Sequence, residues 1–278
     1  MVDDRNNETL DLLKQSNFAG YLMVRMAPSS QQSDLTKLFR FYLDVLQIPA
    51  AVSEPALRAI RFQWCRDSIE QLTTFVVTGS VVFDDLLDQI QSIGEPFKNA
   101  LLDVIDGIEQ QSSEDPNPGV DQLFSLMRLH YGGLVRAQLL IAGLDGDRAR
   151  ELSTPCGDAI GFSSLIAAAD GSAVKLAAFL PNELLQKHDV NRSDIFKTST
   201  CASFVPLFEE LASPLILDPA DMLEAVRSIK PPMRLQLGAW YLSGFLYHKA
   251  MRLRTKGQSG KIDLNPLVVF FRLNSFRR

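Results

Sequence analysis

The chain has 278 residues, 46% of them hydrophobic, which is ample for a sizeable core in one large domain or two small ones. Its 28 basic and 33 acidic residues give a net charge of −5, but the charge is unevenly placed: from Lys249 to Arg278 eight basic residues stand against one acid, Asp263, a net of +7 that leaves −12 on the rest. An acidic body repels phosphates, and no broad face interleaves basic with aromatic residues, so nucleic acid is excluded as a partner.

The opening MVDDRNNETLDLLK is acidic and polar, where a secretory or mitochondrial leader would be basic with an apolar or Arg-rich run, so no leader is expected. No apolar run approaches the length of a transmembrane helix. Cys65, Cys156 and Cys201 are widely spaced, odd in number and in no metal-ligand pattern, so reduced thiols buried in a cytoplasmic protein are expected. Ser53 before Pro55 reads as a helix start, and Arg61 and Arg66 on that helix are expected to pair with Asp67 or Glu70 along it. Asp84-Asp85-Leu86-Leu87-Asp88 spells the DDxxD of head-to-tail prenyl transferases. Phe83, Leu86, Leu87 and Ile90 supply the apolar stripe there, so the aspartates are expected on a solvent-facing helix face remote from any cavity.

Phe97, Ala100, Leu101, Val104, Ile105 and Ile108 predict a helix that buries one face, with Asp103 and Asp106 as ordinary exposed acids beside Gly107. Asp218 reads as an N-cap with Pro219 at the first helical position, followed by the stripe Met222, Leu223, Val226 and Ile229. Loops are expected at Ser112 to Gly119, Leu144 to Asp147 and Thr255 to Gly260. His130, His188 and His248 are far apart and are expected as polar rim residues rather than ligands. There is no Gly-rich phosphate loop and no Gly-x-Ser-x-Gly elbow. The periodicity is helical nearly throughout, which predicts an all-α protein of roughly ten helices.

Ile60-Arg61-Phe62-Gln63-Trp64-Cys65-Arg66-Asp67, soon after Ser53-Glu54-Pro55, resembles the Ile-Arg-Leu-Gln-Trp-Trp-Arg-Asp stretch in the short branch of the squalene/phytoene synthase family. Phe18 to Pro28 is similar to that family's opening helix, and Leu38 to Leu46 to its next helix, with Asp44 at a Glu position. Tyr131-Gly132-Gly133-Leu134 and Gly157 to Leu165 resemble two helices that line the family's cavity, and Phe179 to Leu185 resembles its Tyr-Leu-Pro-x-Asp-Leu-Leu ending. The resemblance implies an isoprenoid-synthase-like helical bundle around a central cavity over residues 1–254, with 255–278 as a basic C-terminal loop and helix. It implies vestigial cavity roles for Phe41, Asp44, Gln63, Trp64, Tyr131, Gly161, Ser164 and Phe179, with plain core packing as the other reading of Trp64.

Active members of the family join two prenyl diphosphates head to head, and ionising an allylic diphosphate calls for Mg²⁺ held by two aspartate-rich motifs. In register with the first motif, from Phe41, the acid positions fall on Leu46, Gln47 and Ala50. In register with the second, from Gly161, Ala167 takes the arginine position and Ala168 and Ser172 the acid positions, leaving Asp170 as the one acid nearby. Leu176-Ala177 stands where the family has Gly-Arg. With both carboxylate clusters missing, no catalytic residue, metal site or cofactor is expected. The resemblance implies instead a non-catalytic member, like the respiratory complex I assembly factor of the short branch, acting through a protein partner or by holding an isoprenoid or lipid-like ligand. The alternative is an active prenyl diphosphate transferase whose displaced acids still bind Mg²⁺. In the tail, Phe270, Phe271, Arg272, Phe276, Arg277 and Arg278 are expected either to meet an anionic membrane or a protein partner, or to close the bundle with only the last arginines in water.

Overall fold

The computed structural model describes residues 2–74, 76–112, 118–167, 179–196, 202–258 and 265–277, and within them the chain is all-α. Ten helices run through the first part: α1 (Val2–Ser16), α2 (Phe18–Met26), α3 (Ser29–Ala51), α4 (Pro55–Thr73), α5 (Val81–Asp84), α6 (Leu87–Ile93), α7 (Glu95–Gln111), α8 (Val120–Met127), α9 (Gly133–Ile141) and α10 (Gly146–Ala167). Six more follow among the described residues: α11 (Asn182–Lys187), α12 (Val205–Ala212), α13 (Pro219–Ala225), α14 (Pro231–Arg234), α15 (Gly238–Thr255) and α16 (Pro266–Arg277). Several are one or two turns long, because Gly and Pro cut the helical pattern more often than periodicity alone registers.

The predicted α7 stripe is buried from Phe97 to Ile108, and α7 lies against α9 and α4. Between α8 and α9 the helix widens into a π-type turn, Arg128–Gly132, where the amide of Gly133 donates to the Arg128 carbonyl. This turn is clasped by glycines on both sides. A Cβ on Gly107 of α7 would lie 2.4 Å from the His130 nitrogen, and one on Gly157 of α10 would lie 2.8 Å from the Gly132 nitrogen. Only residues without side chains permit that approach.

Four local expectations are corrected. Glu54, not Ser53, occupies the cap of α4, and no side-chain hydrogen bond caps it, since Pro55 at the first position already removes one orphan amide. Arg66 reaches across to Asp106 at 2.8 Å and to Glu109 on α7 instead of pairing along α4, while Arg61 lies over the Trp64 ring. Asp218 does cap α13, accepting from the Ala220 amide, but the helix ends at Ala225, so Leu223 faces outward while Val226 and Ile229 are buried from the turn that follows. His130 is buried, not at a rim. Cys65 and Cys156 are buried free thiols, burial pushing Cys65 up to about 12, and Cys201 lies outside the described residues.

The last helix, α16, packs on α15, α14 and α2 through Val269, Leu273 and Phe276, a spacing that presents one face. Phe276, for which an outer contact and closure of the bundle were both expected, is fully buried and stacks on Tyr241 with ring centroids 4.4 Å apart. Arg254, counted among the tail's cations, is turned inward: it donates to the Ile166 carbonyl at 2.9 Å and lies over Phe208. Arg278 lies outside the described residues. No helix among the described residues is long and apolar enough to cross a membrane.

Candidate functional site

One end of the bundle opens into a cavity of about 310 Å³ between the C-terminal ends of α3 and α7, helix α8 and the second half of α10. Leu46, Pro49 and Ala50 come from α3, Ile108 and Gln111 from α7, Leu123, Leu126 and Met127 from α8, and Gly161, Ser164 and Leu165 from α10. Tyr131 and Phe179 complete the wall. Gly161 is small because Met127 and Tyr131 stand against it, a Cβ there lying 2.4 Å from Met127 Cγ. A second cavity, about 410 Å³, lies on the other side of Tyr131 and Ser164, which line both spaces. Its walls include Phe39, Tyr42, Gln138, Leu242 and Val269. Burial raises the Tyr131 phenol above its ordinary value.

Behind this partition sits a buried polar relay. His130 Nε2 is 3.1 Å from the Tyr42 hydroxyl and Nδ1 is 2.7 Å from Gln111 Oε1, while the imidazole stacks on the Tyr131 ring at 4.1 Å. Burial lowers His130 to about 3, so the ring is neutral at physiological pH. At the mouth, Arg58 donates to the carbonyls of Val52 and Ser53 beyond α3 and of Ser112 beyond α7, tying two helix ends together. On α10, Asp158 takes both Arg128 nitrogens at 2.8 and 2.9 Å, and burial still holds its carboxyl above the usual range.

Of the residues singled out in the sequence, Tyr131, Gly161, Ser164 and Phe179 are brought together in the cavity wall. Phe41, Asp44, Gln63 and Trp64 lie outside the walls of both spaces. Phe41 is fully buried edge-on to Phe83, and Trp64 meets the same ring edge-on at 5.1 Å, so both serve the α3–α4–α5 core. Gln63 faces solvent and bonds Asp67 at 2.8 Å. Asp44 is half-buried on the same side of α3. Tyr42, Gln111 and Arg58 were missed, since a lone Tyr, Gln or Arg carries no spacing signal.

Of the three positions aligned with the first acidic motif, Leu46 and Ala50 line the cavity, while Gln47 is exposed and lines neither space. Ala168, Asp170, Ser172 and Leu176-Ala177 lie outside the described residues. The donors present, Gln111, Ser112, Tyr131 and Ser164, are neutral, and among the described residues no three His, Cys, Asp or Glu side chains converge. Hard dications prefer carboxylate oxygens, so this donor set does not fit Mg²⁺.

The DDxxD aspartates line neither cavity, but they are not a shared solvent-facing row, because the helix breaks between α5 and α6. Asp84 accepts from the Thr78 amide and hydroxyl and from the Gly79 amide. Asp85 pairs with Arg40, which also holds Thr9 and Asn6 of α1 at 3.0 and 3.1 Å. Asp88 alone is 85% exposed. Asp85→Asn and Asp84→Asn should therefore each cost about 1–2 kcal/mol in urea denaturation, Asp88→Asn under about 0.5. Mg²⁺ should shift none of the midpoints; a Mg²⁺-dependent stabilisation lost in the triple variant would restore this segment as a metal site.

The model of the squalene/phytoene synthase family matches residues 13–252. NADH dehydrogenase (ubiquinone) complex I, assembly factor 6, from Bos taurus is 22% identical over 190 residues, 68% of this chain and 57% of that protein. The Homo sapiens protein of the same name is 20% identical over 204 residues, 73% and 61% of the two chains, so this chain spans less than two thirds of either relative. Among solved structures, a dehydrosqualene synthase in complex with ligand superposes with a TM-score of 0.73 at 13% identity, covering 99% of this chain and 96% of that one. A squalene synthase from Alicyclobacillus acidocaldarius superposes with a TM-score of 0.72 at 17% identity, covering 92% and 95%. At such identities these likenesses establish the isoprenoid-synthase fold.

Proposed function

We propose that this chain, which belongs to the squalene/phytoene synthase family, has given up head-to-head prenyl transfer and works as a binding factor in respiratory complex assembly, its cavity holding an uncharged isoprenoid or other apolar chain. The observation that carries this reading is the α3 end of the cavity: Leu46 and Ala50 occupy positions where catalysis would need carboxylates. An apolar wall with four neutral polar groups suits a ligand with a long hydrocarbon part and at most a hydroxyl or carbonyl head. A diphosphate would be stripped of water there without a cation to receive it. Similarity to assembly factor 6 supports the choice of process.

Incubation with farnesyl or geranylgeranyl diphosphate and Mg²⁺ should release no diphosphate above a no-enzyme control, while farnesol and geranylgeraniol should raise the melting temperature. Mg²⁺-dependent diphosphate release would overturn the proposal and establish a prenyl diphosphate transferase with displaced acids.

A further inference from the structure

The final helix is apolar on two sides, and only one of them has a partner. Val269, Leu273 and Phe276 point into the bundle, whereas Leu267 is 66% exposed, Phe271 65%, and Val268 and Phe270 also face outward. A helix of a water-soluble bundle ordinarily turns polar residues to that side. Beside the exposed residues runs a groove between α15 and α16 of about 240 Å³, floored by Leu242, Phe245 and Val268. His248, Lys249, Arg252 and Arg272 rim it, with the Arg272 guanidinium 4.0 Å above the Phe245 ring. Residues 242, 245, 249 and 252 repeat at helical spacing, so the floor and the cations belong to one face of α15. Neither helix contains an Asp or Glu.

We propose that the α15–α16 face docks on an anionic membrane surface, Phe270, Phe271 and Leu267 entering the bilayer while Arg252 and Arg272 hold lipid phosphates in the groove. The pairing of exposed apolar residues with cations, on two helices free of acids, matches an interface that is hydrocarbon below and negatively charged above. An acidic protein would satisfy the cations alone and leave the rings in water. The groove also shares Leu242 with the 410 Å³ cavity, so docking here sets the second cavity next to the membrane. The proposal does not depend on what the inner cavity holds.

The test is sedimentation of the full chain with vesicles of phosphatidylcholine, alone or mixed with phosphatidylglycerol, with melting curves for every variant. The wild type should pellet with the mixed vesicles at low salt and leave them at about 0.5 M salt. Arg252→Gln with Arg272→Gln, and separately Phe270→Ser with Phe271→Ser, should each weaken binding about tenfold or more. Phe271→Ser alone, at the more exposed ring, carries the test if a double variant melts early. A folded wild type that stays in the supernatant overturns the proposal, as does binding that no variant weakens or binding equal on uncharged vesicles. A dimer in light scattering that Phe270→Ser with Phe271→Ser dissolves, without vesicle binding, would assign the face to a second copy of the chain and likewise overturn it.

Discussion

Gly107→Ala should destabilise the protein by about 2 kcal/mol or more, although alanine is the better helix former. In an exposed helix interior the exchange would gain about 1 kcal/mol. Here the added Cβ would lie 2.4, 2.6 and 2.8 Å from the His130 nitrogen, Cα and Cβ. These atoms are backbone or fixed to it, so a rotamer change cannot relieve the overlap, and α7 must move away from the π-type turn. That movement would also loosen the His130 contacts to Gln111 and Tyr42. Two comparisons separate crowding from general sensitivity to glycine loss. Gly79→Ala meets nothing within 4 Å and carries only the strain of a φ of +79°, about 1 kcal/mol. Gly161→Ala meets Met127 Cγ at 2.4 Å and the Tyr131 ring at 3.0 Å, which can turn aside, but also Met127 Cβ at 2.7 Å, which cannot; with no backbone atom in the contact it should fall between. Urea denaturation of the three variants reads the order directly. A Gly107→Ala protein as stable as the parent would mean that α7 and the turn are not in the contact described.

The same glycine shows where the sequence was legible and where it was not. The stripe from Phe97 to Ile108 names the buried face of α7, because burial of one helix side imposes the spacing of its apolar residues. Gly107 interrupts no stripe, so the close approach it permits leaves no trace in periodicity. Of the positions the resemblance pointed to, Leu46, Ala50, Tyr131, Gly161, Ser164 and Phe179 line the cavity, since a shared register carries positions whatever residue fills them, while Gln47 does not. Gln63 and Trp64 line neither space: their helix contributes Phe62 and Trp64 to packing, the second of the two readings of Trp64, and turns Gln63 to water. The DDxxD aspartates misled differently: their stripe is sound at Phe83, Leu86 and Ile90, but a helix break re-aims Asp84 and Asp85 toward partners distant in sequence. Long-range pairs such as Arg40 with Asp85, or His130 with Tyr42, follow from topology, which local spacing does not encode.

His130 should make the protein lose stability as pH falls through the range in which carboxylates are still ionised. Folding buries this imidazole among Tyr42, Gln111 and Tyr131 and lowers its pKa from 6.5 to about 3, so the unfolded chain binds a proton that the folded one refuses. Its contribution is complete above pH 6.5 and is lost progressively as pH drops from there toward 3. At about 1.4 kcal/mol per unit, the loss between pH 7 and pH 5 comes to about 2 kcal/mol, large against a typical total of about 5–15 kcal/mol. His130→Gln keeps an amide that can bond Gln111 and Tyr42, costs about 1–3 kcal/mol at pH 7 and removes the proton linkage. Denaturation midpoints of the two proteins should therefore converge between pH 7 and pH 5, all other groups cancelling in the difference. Parallel curves would show that His130 is solvated or charged in the folded state. The outcome bears on the ligand as well as on stability: a His130 that stays neutral leaves the wall formed by Gln111, Tyr131 and Ser164 without a positive charge, and such a wall favours an uncharged apolar guest over a diphosphate.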